Sequence, residues 1–221
     1  MSNKQLIIFG NGQIAELSFF YFSKFTDNKI AGFMVDEENI KESKFCNLPL
    51  FSSAEINKFP TDKYKIFVAL SYKNLNAIRK EKYIFFKSKN YELASYVSEK
   101  ATNLSNNIIG DNLLILENNV IQPYAKILNN VFIWSGNHIG HHSVIKDHVF
   151  ISSHVVISGN VTINENCFLG VNSTIRDSIT IGEKSIIGAS STILKNVEKF
   201  SVIRTKSTLA SNIKSDKISK I

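Results

Sequence analysis

The chain has 221 residues, 43% of them apolar, and a formal net charge of +7. That is enough to bury a core in one large domain or two small ones, and no run of about 18 apolar residues marks a membrane span. The positive excess is spread over residues 63–89 and 195–220 without a stripe of interleaved aromatics, which argues against nucleic-acid binding and suits an anionic small substrate.

Met-Ser-Asn-Lys-Gln followed by a short apolar run is not the layout of a signal peptide, so a cytoplasmic location is expected. Cys46 and Cys167 lie far apart and are expected as unpaired core fillers. Residues 4–9 read as an apolar strand, followed by Gly10-Asn11-Gly12-Gln13-Ile14-Ala15, a helix over 16–25, and a strand, Ile30–Val35, that ends at Asp36. Strand, glycine turn, helix and acid-tipped strand outline a nucleotide-binding βαβ unit. The glycines let backbone amides approach phosphates at a helix N-terminus, and the acid can accept hydrogen bonds from ribose or base. Such glycines also serve a tight strand-to-helix turn that binds nothing. One half of this kind, rather than two, favours a mononucleotide over a dinucleotide. Further strands over 65–70 and 92–97, with a helix over 74–88 between them, complete an α/β domain spanning residues 1–100.

From Ile109 a large aliphatic side chain recurs at every sixth position, through Ile115, Ile121 and their successors to Ile187 and Ile193, with Leu169 the one exception to isoleucine. No strand is long enough to carry such a run. The physical solution is a coil of three short strands and three turns, eighteen residues in all, with each sixth side chain pointing into a triangular interior. Small or β-branched residues four positions later, such as Val131, Ser143 and Val155, fit a second inward set. Gly110, Gly140, Gly170, Gly182 and Gly188 directly follow an aliphatic position, where they are expected to relieve turn geometry. The fold class is therefore an N-terminal βαβ (Rossmann-like) α/β domain followed by a left-handed parallel β-helix over 101–195 and a tail over 196–221.

All five histidines lie between His138 and His154. His142, His148 and His154 share one phase of the repeat, so they fall on successive faces and cannot converge on one metal. His138, His141 and His142 lack the cysteine or carboxylate that would complete a zinc set, and no metal is expected. His141 sits at a turn two residues after an inward aliphatic, and Gly159 lies eighteen residues, or one coil, further on. An imidazole that titrates near neutrality can take a proton from an attacking amine or hydroxyl, and a backbone amide beside it can hold an oxyanion. That pairing points to acyl transfer.

These features together resemble the hexapeptide-repeat sugar acyltransferases with an N-terminal βαβ domain, which acetylate nucleotide-linked amino sugars of the bacillosamine, perosamine and dTDP-4-amino types, or sialic acid. The resemblance spans essentially the whole chain. It is carried by Gly10-Asn11-Gly12-Gln13, Asp36, the segment from Ser71-Tyr72 through Arg79, His141, Ser158-Gly159-Asn160-Val161, Cys167-Phe168-Leu169-Gly170 and Ile187-Gly188-Ala189. It implies that His141 is the general base and that the Gly159 amide stabilises the tetrahedral intermediate. It implies acetyl-CoA as cosubstrate beside Phe150, Gly159, Gly170, Val171, Gly188 and Ala189. It implies a nucleotide sugar held by Gly10, Asn11, Gly12, Gln13, Asp36, Ser71, Arg79 and His138. It further implies a homotrimer with sites between adjacent subunits and a place in surface-glycan biosynthesis, O-antigen or capsule.

Two positions depart from that family. The residue after the catalytic histidine is usually Asp or Glu, whose charge raises the basicity of the ring; here it is His142, which joins His141 and Gly159 among the catalytic candidates. The closing Gly-Asn-Pro-Ala-like turn is replaced by Val202-Ile203-Arg204-Thr205. The same base could acetylate a hydroxyl instead of an amine, and a β-helix that binds a nucleotide sugar without catalysis is the reading from another class.

Overall fold

The computed structural model describes residues 4–219. The first three residues of the expected α/β domain and the last two of the expected tail lie outside them. β1 (Gln5–Phe9) leads through the glycine turn into α1 (Gln13–Phe25), which starts three residues earlier than the sequence suggests. β2 (Ile30–Val35), β3 (Lys44–Phe45), β4 (Leu48–Ser52), β5 (Tyr64–Val68) and α2 (Ala77–Ser88) follow. The sheet runs in the order β3-β4-β2-β1-β5, parallel except for the β3–β4 hairpin. That hairpin has no alternating apolar run to announce it and is absent from the sequence reading. Cys46, in its turn at φ 47°, is only partly buried rather than a core filler, whereas Cys167 is fully buried; both are free thiols.

The second part is a parallel β-helix whose two-residue strands repeat every six residues and pair every eighteen. Its first face runs from Tyr96–Val97 through Leu114–Ile115, Phe132–Ile133, Phe150–Ile151, Phe168–Leu169 and Ile186–Ile187 to Val202–Ile203. The second face contains Val120–Ile121, His138–Ile139 and Val156–Ile157, and the third contains Lys126–Ile127, Val144–Ile145 and Thr162–Ile163. From Ile115 to Ile193 the sixth-position aliphatics are buried, and together with Ala125, Val131, Val149, Val155 and Val161 they form one continuous core.

Three sequence expectations change. The segment 92–97 is not one strand: Leu93 bridges to Ile66 beside the first sheet, whereas Tyr96–Val97 already opens the β-helix. Ile109 is 65% exposed, and Ile108 packs on the core and bridges to Ile127 in its place. Local bonds from Ser105 to Asn103 and from Asn107 to Ser105 tie the preceding loop and shift the register by one residue. The glycines after the aliphatics do not have positive φ. They are required because the next coil passes directly beneath: a Cβ on Gly170 would lie 2.6 Å from the Ala189 nitrogen. Left-handed backbone falls instead on the residue two places further, among them Asn130, His142, His148, His154, Asn160 and Asn166. Asparagine and histidine are enriched in that conformation, so three of the five histidines have a conformational reason to be there.

The α/β domain docks on the first face. Outward-pointing Tyr96, Leu114, Phe132 and Phe150 share a buried cluster with Phe22, Phe33 and Phe67. Along the adjoining edge, Asn112, Asn130, His148 and Asn166 form a ladder with eighteen-residue spacing. Asn112 Nδ2 donates to Asn130 Oδ1 at 2.8 Å, and Asn130 Nδ2 lies 2.8 Å from His148 Nδ1. The ladder grips the domain above it: Asn112 accepts from the Val68 amide, and Asn166 donates to the Leu75 carbonyl.

Candidate active site

His141 stands on the edge between the second and third faces, opposite the face that the α/β domain covers. Its backbone amide donates to Gln122 Oε1 at 2.9 Å, and its carbonyl accepts from the Asn160 amide one coil on. The exposed imidazole lies over Gly159. A Cβ built there would be 2.5 Å from His141 Cε1 and 2.6 Å from Nε2, so the ring occupies the space that any other residue would fill. On the other side of the ring, His141 Nδ1 is 3.1 Å from His142 Nδ1. Tyr124, one coil earlier, packs against His142 with ring centroids 4.7 Å apart and planes tilted by 34°. An imidazole whose Nε2 has no hydrogen-bond partner among the described residues, with a small residue beneath it and a tethered Nδ1, has the geometry to take a proton from a nucleophile approaching over Gly159.

His138 begins the strand that enters this turn and is partly buried. His154 is exposed on another edge, where its ring packs over Gly136. His148 is buried in the asparagine ladder beneath Tyr83, and burial, reinforced by Lys80, pushes its imidazole down to about 4. Among the described residues no three His, Cys, Asp or Glu side chains gather as a metal site.

Gly10, Asn11, Gly12 and Gln13 form the turn at the C-terminal end of β1. Gly10 has φ +136°, and a Cβ on it would meet the Ala69 carbonyl oxygen at 2.8 Å. Asn11, Gly12 and Gln13 are exposed, and nothing lies within 4 Å of where a Gly12 Cβ would be. Asp36, at the end of β2, accepts from Ser53 Oγ at 2.9 Å and pairs with Lys82 Nζ at 2.7 Å, so a lysine missing from the sequence reading belongs to this rim. Ser71 is exposed on the loop after β5.

Two expected contacts are ruled out by burial. Arg79 is fully buried: Nη2 donates to the carbonyls of Asn130, His148 and Val149, and the guanidinium lies 4.1 Å from the centre of the Phe132 ring. Burial without a carboxylate partner lowers its pKa to about 9. It clamps α2 to the β-helix and cannot reach a sugar. Phe150 is likewise sealed under the α/β domain between Tyr72 and Phe168, so it is not open to coenzyme A. An eighteen-residue count places Phe150 in one column with Phe132 and Phe168, but only the docked domain, with Arg79 on its α2, reveals that the column is covered.

Gly170 with Val171, and Gly188 with Ala189, occupy successive coils of the edge between the first and second faces. This edge and the His141 edge are therefore different edges of the prism, and the glycine turn belongs to the domain docked on the first face, opposite His141. A cleft of about 740 Å³ between α1 and the first coils, lined by Tyr21, Lys24 and Glu117, contains none of these site residues.

The architecture is that of a hexapeptide-repeat left-handed β-helix carrying a βαβ domain. Residues 124–159 and 160–195 match the bacterial transferase hexapeptide family (six repeats). No curated protein matches the sequence. Among solved structures, the chain is similar to a perosamine N-acetyltransferase variant from Caulobacter crescentus in complex with CoA and GDP-perosamine. Identity is 16% and the TM-score 0.80, over 90% of this chain and 92% of that one. It is similar to the acetyltransferase domain of PglB from Neisseria gonorrhoeae in complex with acetyl coenzyme A, at 19% identity and a TM-score of 0.78, over 89% and 93%. WeeI from Acinetobacter baumannii matches at 17% identity and a TM-score of 0.76, over 90% and 95%. At these identities the likeness establishes a shared fold.

Proposed function

We propose that the protein is an acetyl-CoA-dependent N-acetyltransferase acting on a nucleotide-linked amino-deoxy sugar. The observation that carries this reading is the His141 ring lying over Gly159 with no partner on Nε2 among the described residues. The amine nitrogen bonds to the thioester carbonyl carbon, and His141 Nε2 takes the proton released. The Gly159 amide holds the oxyanion; as the intermediate collapses the C–S bond breaks, and the proton passes to the departing thiolate. No acyl-enzyme is required. An amine suits this base better than a hydroxyl because His142 supplies no negative charge to strengthen it, as the acidic residue of the family would. Two neighbours in fold, bound to CoA with GDP-perosamine and to acetyl coenzyme A, support the choice of cosubstrate and acceptor class.

The glycine turn, with Asp36, holds the nucleotide, and the Gly170 and Gly188 edge carries the coenzyme. Because these lie apart from the His141 edge in one chain, the working site forms between copies, in a homotrimer. The unpaired thiols, and the lack of any helix among the described residues long and apolar enough to cross a membrane, accord with a cytoplasmic enzyme supplying surface-glycan precursors.

Coenzyme A release is measured with UDP-, GDP- and dTDP-linked amino sugars, and mass spectrometry before and after mild alkali separates amide from ester. The absence of release with every acceptor would overturn the assignment. The shared site is tested by mixing inactive subunits, His141→Ala with Gly12→Trp, whose added side chain enters open space. Random assembly of equal amounts restores about a quarter of wild-type sites if turn and base come from different chains, and none if they come from one.

A further inference from the structure

The position that departs from the family pattern is also the one that touches the base. His142 holds left-handed backbone at φ 60°, its amide donates to the Pro123 carbonyl, and its ring is packed by Tyr124, so its Nδ1 has a defined direction. That direction is toward His141 Nδ1, 3.1 Å away. Two nitrogens at this distance share one hydrogen, and the bond therefore couples the tautomers of both rings. If His141 carries its hydrogen on Nδ1, His142 accepts on Nδ1 and carries its own on Nε2, leaving His141 Nε2 bare above Gly159. The reverse arrangement puts hydrogen on His141 Nε2, where it blocks proton uptake.

We infer that His142, braced by Tyr124, is a positioning residue that accepts a hydrogen bond from His141 Nδ1–H and so keeps the base in its reactive tautomer. This rests on the acetyltransferase reading for its catalytic consequence but not for its geometry. No charged group substitutes for it. His138 lies on the entering strand and Lys126 on the strand following Tyr124. Arg176 and Asp177 face each other at 4.0 Å two coils away, and none has a hydrogen bond or ion pair to either imidazole among the described residues. Gly159 and Asn160, on the coil beneath, carry no titratable side chain. The role of the family's acidic residue, orientation, is thus separated from its charge: a neutral acceptor keeps the first and forgoes the second.

Two substitutions isolate the acceptor while tolerating left-handed backbone. His142→Asn places Oδ1 where Nδ1 stood, and His142→Gly removes the acceptor. Nitrogen-15 chemical shifts of the full-length protein at pH 8 report which ring nitrogen carries hydrogen, with no substrate present. The wild type and His142→Asn are expected to show His141 protonated on Nδ1, and His142→Gly a mixture of both forms. With the best acceptor sugar, kcat should fall about tenfold or more in His142→Gly with KM held, and recover most of that loss in His142→Asn. His141 protonated on Nε2 in the wild type, or an unchanged kcat in His142→Gly, overturns the inference. If the shifts come out as expected and no amino sugar is acetylated, the pairing stands and the assigned reaction fails.

Discussion

Gly159 is defined by what stands above it. A methyl group at this position would occupy the space of the His141 ring, 2.5 Å from Cε1, while leaving the interior of the prism untouched. Gly159→Ala is therefore expected to keep the thermal midpoint of the wild type and, under the proposed chemistry in which His141 is the base, to lose kcat by about a hundredfold or more. Circular dichroism melting and coenzyme A release on the same preparation check the two halves. His148 gives the opposite case, a histidine whose contribution is to stability. Folding holds its imidazole neutral down to about 4, whereas in the unfolded chain it takes up a proton near 6.5. Between those values the unfolded state binds more protons, so stability rises with pH from about 4 to about 6.5 and its contribution is lost as pH falls through that window. Urea midpoints at pH 5 and pH 7.5 should differ more in the wild type than in His148→Asn, which continues the asparagine ladder without a titrating group.

At the scale of the coil, the interior aliphatics carry the fold. Ile157 is fully buried between Ile139 and Ile175, its partners one coil to either side. Truncation leaves a cavity that a prism with neighbours above and below cannot collapse into, and Ile157→Ala is expected to cost about 2–5 kcal/mol by urea unfolding. The edges follow a different rule from the faces. One residue in six adopts left-handed backbone, and a second passes so close to the next coil that only glycine fits at several levels. The six-residue spacing exposes both positions, yet composition alone misassigns the strain: the glycines look like the turn formers, while asparagine and histidine adopt the unusual backbone.

For the whole molecule the decisive contact is the docking of the α/β domain on the first face, and Arg79 sits at its centre. Arg79→Ala is expected to lower stability by about 2–4 kcal/mol and to speed hydrogen exchange in α2, because three carbonyls lose a donor and the Phe132 ring loses its cover. Arg79→Met, which keeps bulk and drops charge, should leave KM for the nucleotide sugar unchanged; a substrate-binding arginine would raise it. Much of this molecule is legible one residue at a time. The β-helix, its eighteen-residue pitch and the meeting of His141 with Gly159 follow from the sequence alone, because in a solenoid spatial neighbours stand at a constant sequence offset and counting replaces tertiary information. That rule ends at the boundary between the domains. Nothing periodic relates α2 to Phe132 or Tyr72 to Phe150, so the burial of Arg79 and Phe150, the pairing of Asp36 with Lys82 and the separation of the glycine turn from the His141 edge were decided by tertiary packing, where contacts depend on docking rather than on pitch.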